Sequence, residues 1–68
     1  MTATTAQLRR QAAECEQRLE WGRAADFWQA AIDNYPRPQG RPLGALAEAD
    51  LAAMHRRMTA ALGQYFPA

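Results

Sequence analysis

The stretch RLEWGRAADFWQAA, residues 18–31, holds both tryptophans of a 68-residue chain, seven positions apart around an Ala-Ala pair. Its reading turns on phase. Upstream, Leu8, Ala12, Cys15 and Leu19 recur at i, i+4, i+7 and i+11, which is one face of a helix. From Trp21 onward, Ala24, Ala25, Trp28, Ala31, Ile32 and Tyr35 form a second helical stripe. At about 100° per residue, a continuous helix would set Trp21 and Trp28 nearly opposite Leu8 and Leu19. A small monomer can bury both stripes only by folding them together, so a turn is expected near Arg18 to Glu20. The alternative is a single uninterrupted helix, buried on both sides within a dimer.

Working outward, the composition supports helix throughout. The chain has no valine and one isoleucine, against abundant Ala, Leu, Gln, Glu and Arg. Thr4 or Thr5 can cap a first helix spanning about 6–18. A second is expected over about 21–34. NYPRPQGRPLG, residues 34–44, then ends it with three prolines and two glycines. A third helix is expected over about 45–63, with Ala47, Leu51, Met54, Met58, Leu62 and Tyr65 as its apolar stripe and Gly63 fraying its end. Acidic Glu48 and Asp50 stand early in it and Arg56 and Arg57 later, the order the helix dipole favours. The fold class is all-α: a helical hairpin, a Pro-rich loop over 35–44 and a third helix, as one small domain.

Size and charge bound the function. A single core is marginal at this length, and small domains without staples gain stability by self-association. One cysteine excludes an intramolecular disulfide and points to a reducing cytoplasm. No stretch has the length and apolarity of a signal peptide or membrane span, so no membrane partner is expected. A net charge of +1, with the signs interspersed, disfavours nucleic acid as a sequence-independent partner.

Catalysis finds little material in one histidine, one cysteine and no serine. Cys15 falls on an apolar stripe, where a thiol acts as a small hydrophobe, and His55 falls on a polar face. These two alone do not make a metal site, and no cofactor is expected. The carboxylates Glu14, Glu16, Glu20, Asp26, Asp33, Glu48 and Asp50 read as exposed helix charges. The aromatic residues carry more information. Trp21, Phe27, Trp28 and Tyr35 exceed what one two-helix contact can bury, and Phe27 stands toward the flank of its helix. They form, with Met54 and Met58, the expected partner or dimer interface. Arg37, Arg41, Arg56 and Arg57 are candidate polar contacts. A small DNA-binding regulator using Arg56, Arg57 and the loop arginines is the alternative.

Ala24, Trp28, Ala31 and Pro36 are spaced as in the second helix of a tetratricopeptide repeat, which the first half resembles. One unit cannot form an ordinary repeat array. Residues 6–35 also resemble the ANR family, the AraC negative regulators, and the related PerC-like small regulators. Ala12, Ala13, Glu16, Trp21, Arg23, Ala24, Ala25, Trp28 and Ala31 carry that resemblance. The family usually has glycine where Leu19 stands here, and LAAMHRRMTAALGQYF lacks the tryptophan, arginine and cysteine signature of its C-terminal half. The resemblance implies a homodimeric, non-enzymatic modulator of transcription from a bacterium or a phage or other mobile element. Such an anti-activator binds a transcriptional regulator protein and blocks its dimerisation or DNA binding.

Overall fold

The structure is a computed structural model and describes residues 3–66. It contains α1 (Thr5–Gln17), α2 (Trp21–Asp33) and α3 (Ala45–Tyr65), with no strand among the described residues. The all-α architecture of hairpin, Pro-rich loop and third helix is therefore observed. Each helix boundary lies within two residues of the expected one.

Thr4 is the residue that caps α1. Its hydroxyl accepts from the Gln7 backbone N–H at 3.1 Å, and the Gln7 side chain accepts from the Thr4 N–H at 2.8 Å. This reciprocal pair satisfies two of the orphan donors of the first turn.

The other end of α1 decides the fold. The Leu19 N–H donates to the Glu16 carbonyl at 3.0 Å, and the Glu20 N–H reaches back to the Cys15 carbonyl at 2.9 Å. These two bonds define a Schellman termination, in which the residue after the C-cap takes a left-handed backbone. That residue is Leu19, with φ of 62°. The chain turns at 18–20 as expected, and no continuous helix forms. Leu19 itself departs from its expected place on the α1 stripe. In the left-handed position its side chain leaves the helix face, and it is 70% exposed.

Two bonds bring the C-terminus of α2 back beside the start of α1. Asn34 Nδ2 donates to the Ala3 carbonyl at 2.9 Å, and the Thr5 hydroxyl donates to the Asn34 carbonyl at 3.0 Å. The 34–44 segment is exposed apart from Tyr35 and Leu43, which are half-buried against the core. It returns the chain as α3, whose Tyr65 ring lies on Gly22 at the start of α2. A Cβ built on Gly22 would come within 2.9 Å of that ring, so the missing side chain permits the contact. Gly63 does not fray α3, which runs on to Tyr65.

Helix α2 packs against both neighbours and forms the middle of the molecule. Its buried face is Ala24, Ala25, Trp28, Ala31 and Ile32. Ala12 and Cys15 meet it from α1, and Leu51, Met54 and Ala61 from α3. Alanine at half of these positions lets helix axes approach closely, toward the lower end of the roughly 8–10 Å range. Cys15 is a buried free thiol.

The Leu19 backbone gives a direct prediction. A left-handed non-glycine residue costs about 1–2 kcal/mol, partly offset by the extra unfolded-state entropy of glycine, about 0.5–1 kcal/mol. Leu19→Gly therefore raises stability by up to about 1 kcal/mol, whereas β-branched Leu19→Val lowers it. Urea unfolding followed by circular dichroism at low protein concentration reads both signs. A destabilised glycine variant would contradict the assignment of strain to this residue.

Candidate functional site

Among the described residues the most connected side-chain polar group is the Glu16 carboxylate, on the flank of the buried stripe of α1. The indole Nε1–H of Trp28, from α2, donates to its Oε2 at 3.0 Å. From α3, Arg57 donates through Nη2 to Oε1 and through Nε to Oε2, the latter at 3.4 Å. The same guanidinium lies over the Trp28 ring, 4.9 Å from its centroid. One residue from each helix thus meets at a single point. The Glu16 side chain is only 15% exposed, so this is not the solvated helix charge its sequence context suggests. A buried indole N–H requires an acceptor, and a largely buried carboxylate requires donors; each supplies the other.

A second polar link lies nearer the loop. Arg9 of α1 pairs with Asp50 of α3 at 3.2 Å. Tyr35 stands beside them, and its phenol is pushed above the usual tyrosine range. Desolvation is the largest cause, followed by the neighbouring Asp50 carboxylate, with Arg9 opposing. Arg9 and Asp50, like Glu16, thereby join helices rather than facing solvent alone.

The residues expected to form an interface are divided by the fold. Trp28 and Met54 are interior, at 3% and 1% exposure, and act in packing within the chain. Trp21, Phe27, Tyr35 and Met58 are half-buried and pack against the core, so α1 and α3 already cover much of the aromatic surplus. Arg57 is committed to Glu16. Arg37 makes a long 3.5 Å bond to the Ile32 carbonyl. Arg41 and Arg56 are exposed and form no ion pair among the described residues.

The exposed apolar surface lies instead at the end of the molecule where the α1–α2 turn meets the C-terminus of α3. Leu19, Leu62, Tyr65 and Phe66 are four of the five large hydrophobic residues exposed among those described; Leu46 is the fifth. With Trp21 and Gly22 they line an open groove of about 620 Å³, rimmed by Glu20, Arg23 and Asp26. Tyr65 and Phe66 meet edge to face, with ring centroids 4.6 Å apart. Arg23 pairs with Glu20 at 3.3 Å, and Asp26 has no ion-pair partner among the described residues. Leu62 and Tyr65 were legible as apolar, but as parts of a core stripe. In the structure the buried line on α3 runs through Leu51, Met54, Met58 and Ala61, leaving Leu62 beside it and Tyr65 at its open end. Leu19 was likewise legible only as part of the α1 core stripe, and Phe66 had no helical period to mark it.

Comparisons with protein-family models, with curated proteins and with solved structures give no match. The chemistry of this end must therefore be argued from its own residues. No group of three or more metal-ligating side chains occurs among the described residues, and no described helix is long and apolar enough to cross a membrane. An apolar, aromatic groove with a polar rim is suited to gripping another protein surface.

Arg57→Ala is expected to cost about 1 kcal/mol, a value kept low because the guanidinium is half-exposed. Arg57→Lys recovers little of it, since lysine reproduces neither the paired donors nor the stacking. In a double-mutant cycle with Glu16→Gln, unfolding should show a positive coupling that falls with salt. Strictly additive losses would remove the link.

Alkaline pH tests the Tyr35 environment. A phenol raised in the folded state contributes stability that is fully present below its unfolded value of about 10 and is lost as pH rises through the folded value. Unfolding free energy should therefore fall at alkaline pH, and Tyr35→Phe should flatten part of that fall. Identical profiles for the two proteins would contradict the assignment.

Proposed function

We propose that the chain is a non-enzymatic, protein-binding modulator of transcription: an anti-activator that binds a transcriptional activator and blocks its dimerisation or DNA binding. The observation that carries this reading is the collection of Leu19, Leu62, Tyr65 and Phe66 around one groove. Amphipathic helices, the elements through which many regulators dimerise, lay an apolar face into grooves of this kind. Aromatic side chains give such contacts their anchors.

The resemblance of residues 6–35 to the ANR and PerC-like regulators supports the same class. Its one departure in the turn now has a physical meaning. Glycine is the usual family residue where Leu19 stands, and the backbone there has φ of 62°, the region in which glycine is unstrained. The turn is compatible with the family's residue even though the side chain differs.

The DNA-binding alternative draws less support from the geometry. Of the residues that alternative names, Arg57 is held by Glu16 and stacks on Trp28, leaving Arg56, Arg37 and Arg41 to neutralise phosphates. Few contacts of that kind give weak and strongly salt-dependent affinity.

Affinity capture from the native host with tagged protein, read by mass spectrometry, should return a transcriptional regulator. Purified regulator should then bind the wild-type chain and lose at least tenfold in affinity, a step of about 1.4 kcal/mol, to Phe66→Glu. Undiminished binding by that variant would show that the groove is not the contact. In a salt-titrated gel shift, the chain alone should leave DNA unshifted and should reduce the shift given by the regulator. A shift by the chain alone that Arg56→Ala abolishes would favour the alternative.

A further inference from the structure

We infer that the charges along the seam between α1 and α3 fix the register and direction of α3, and through them build the groove at the turn end. This holds whatever the groove binds.

The two ion pairs between these helices follow one rule. Arg9 pairs with Asp50 and Glu16 with Arg57, the members of each pair standing 41 positions apart. From one pair to the next, both helices advance by seven residues, about two turns, so α1 and α3 run parallel in one register. Helix α2 runs against them. It places Trp28 beside one pair and Tyr35, seven residues on, beside the other. The polarity of the pairs is reversed: the cation stands on α1 in the first and on α3 in the second.

Reversed polarity rejects arrangements that two pairs of equal polarity would admit. If α3 slid by seven residues one way, Arg57 would meet Arg9; the other way, Asp50 would meet Glu16. Turned end for end, α3 would bring about both like-charge encounters together. Each alternative exchanges attraction for repulsion, which is how charged flanks choose register and orientation in helix pairs. The native pairs are partly exposed and add little stability by themselves. Choice among registers depends on a difference, to which the native attraction and the displaced repulsion both contribute.

Apolar packing discriminates poorly between these registers. The buried line of α3 runs through Leu51, Met54, Met58 and Ala61 toward Tyr65. A slide of seven puts Met58 where Leu51 sits, Ala61 where Met54 sits and Tyr65 where Met58 sits. Apolar replaces apolar each time, and only the Met54–Ala61 exchange changes volume strongly. Seven of the 21 residues of α3 are alanine, which offers little shape to lock. Nor does the connection forbid the slide. Seven residues of helix are about 10 Å, well within the reach of an extended loop over 34–44. The register nevertheless decides the surface. A displacement of that size carries Tyr65 off Gly22, whose missing side chain receives its ring, and takes Leu62 and Phe66 out of the groove.

Nuclear magnetic resonance of the full chain reads the register through contacts between the Tyr65 ring and the Gly22 α-protons. Circular dichroism follows helix content alongside. The wild type should show one set of Gly22 signals, in contact with Tyr65. Glu16→Arg with Arg57→Glu keeps two attractive pairs in the native register but gives both the same polarity. A second set of Gly22 signals, without the Tyr65 contact, should then appear. Asp50→Arg with Arg57→Glu sets like charges together in the native register and should abolish the contact. Adding Arg9→Glu and Glu16→Arg to that chain restores complementary pairs of reversed polarity and should return the single native set. A single native set in the equal-polarity chain, or loss of its helices, would overturn the inference, because packing or the individual bonds of Glu16 would then suffice. So would a contact that survives the α3 swap, or a four-fold variant that fails to regain it. If the α3-swapped chain loses its helices, the other two variants decide, since each keeps as many attractive pairs as the wild type.

Discussion

Everything in this structure depends on how three short helices are held around one alanine-rich centre, and the Glu16 carboxylate is where all three are joined. It accepts from Trp28 of α2 and from Arg57 of α3, and it belongs to α1. Close packing alone would fix the distances between helices but leave their rotations loosely set, because alanine faces are nearly featureless. A carboxylate with directional donors on two other helices restricts those rotations. The indole supplies the link between core and clamp: its body fills the interior while its N–H and its face reach the two charged groups. The arrangement selects one packing rather than adding much stability, since the guanidinium remains half in water.

The small core has a consequence for the surface. Alanine at five of ten buried positions permits close approach, but each alanine removes little apolar area from water. The large side chains must then go where geometry leaves room. Trp28, Ile32, Leu51 and Met54 find the middle. The residues of the turn and of the end of α3 do not, because the left-handed turn takes Leu19 off the α1 face and Tyr65 and Phe66 stand at the open end of the α3 stripe. Gly22 accommodates one face of the Tyr65 ring, and the remainder of the aromatic pair faces outward. The apolar end is the counterpart of the compact centre.

Much of the fold was legible in the sequence because its signals are local. The phase break between Leu8, Ala12, Cys15 and the Trp21–Tyr35 stripe located the turn, and Thr4 with Gln7 and the prolines at 36, 38 and 42 bounded the helices. The apolar end and the Glu16 cluster were less legible for equally physical reasons. Leu19 fits the α1 period by coincidence of spacing, and nothing local announces that the helix stops two residues earlier. Glu16 and Arg57 lie 41 residues apart, so no periodicity relates them. A signal did exist for Glu16, which sits next to Cys15 at the edge of the buried stripe, where a neighbouring indole N–H could seek it. Trp28 and Met54 read as interface residues because α3 could not be docked from its pattern alone.

Leu19 joins these threads. Its backbone closes the hairpin in a conformation glycine would adopt without strain, yet its side chain is part of the groove. A glycine here would relax the turn and remove apolar surface from the end of the molecule. Leucine at this position thus retains backbone strain while adding apolar surface to the groove. Phe66, beyond the last turn of α3, is 69% exposed on a backbone with φ of −114°, so its exposed ring carries no comparable backbone strain. At Leu19 local stability and surface chemistry point in different directions. In the proposed protein-binding role, burial of this side chain against a partner would offset the strain that the turn retains.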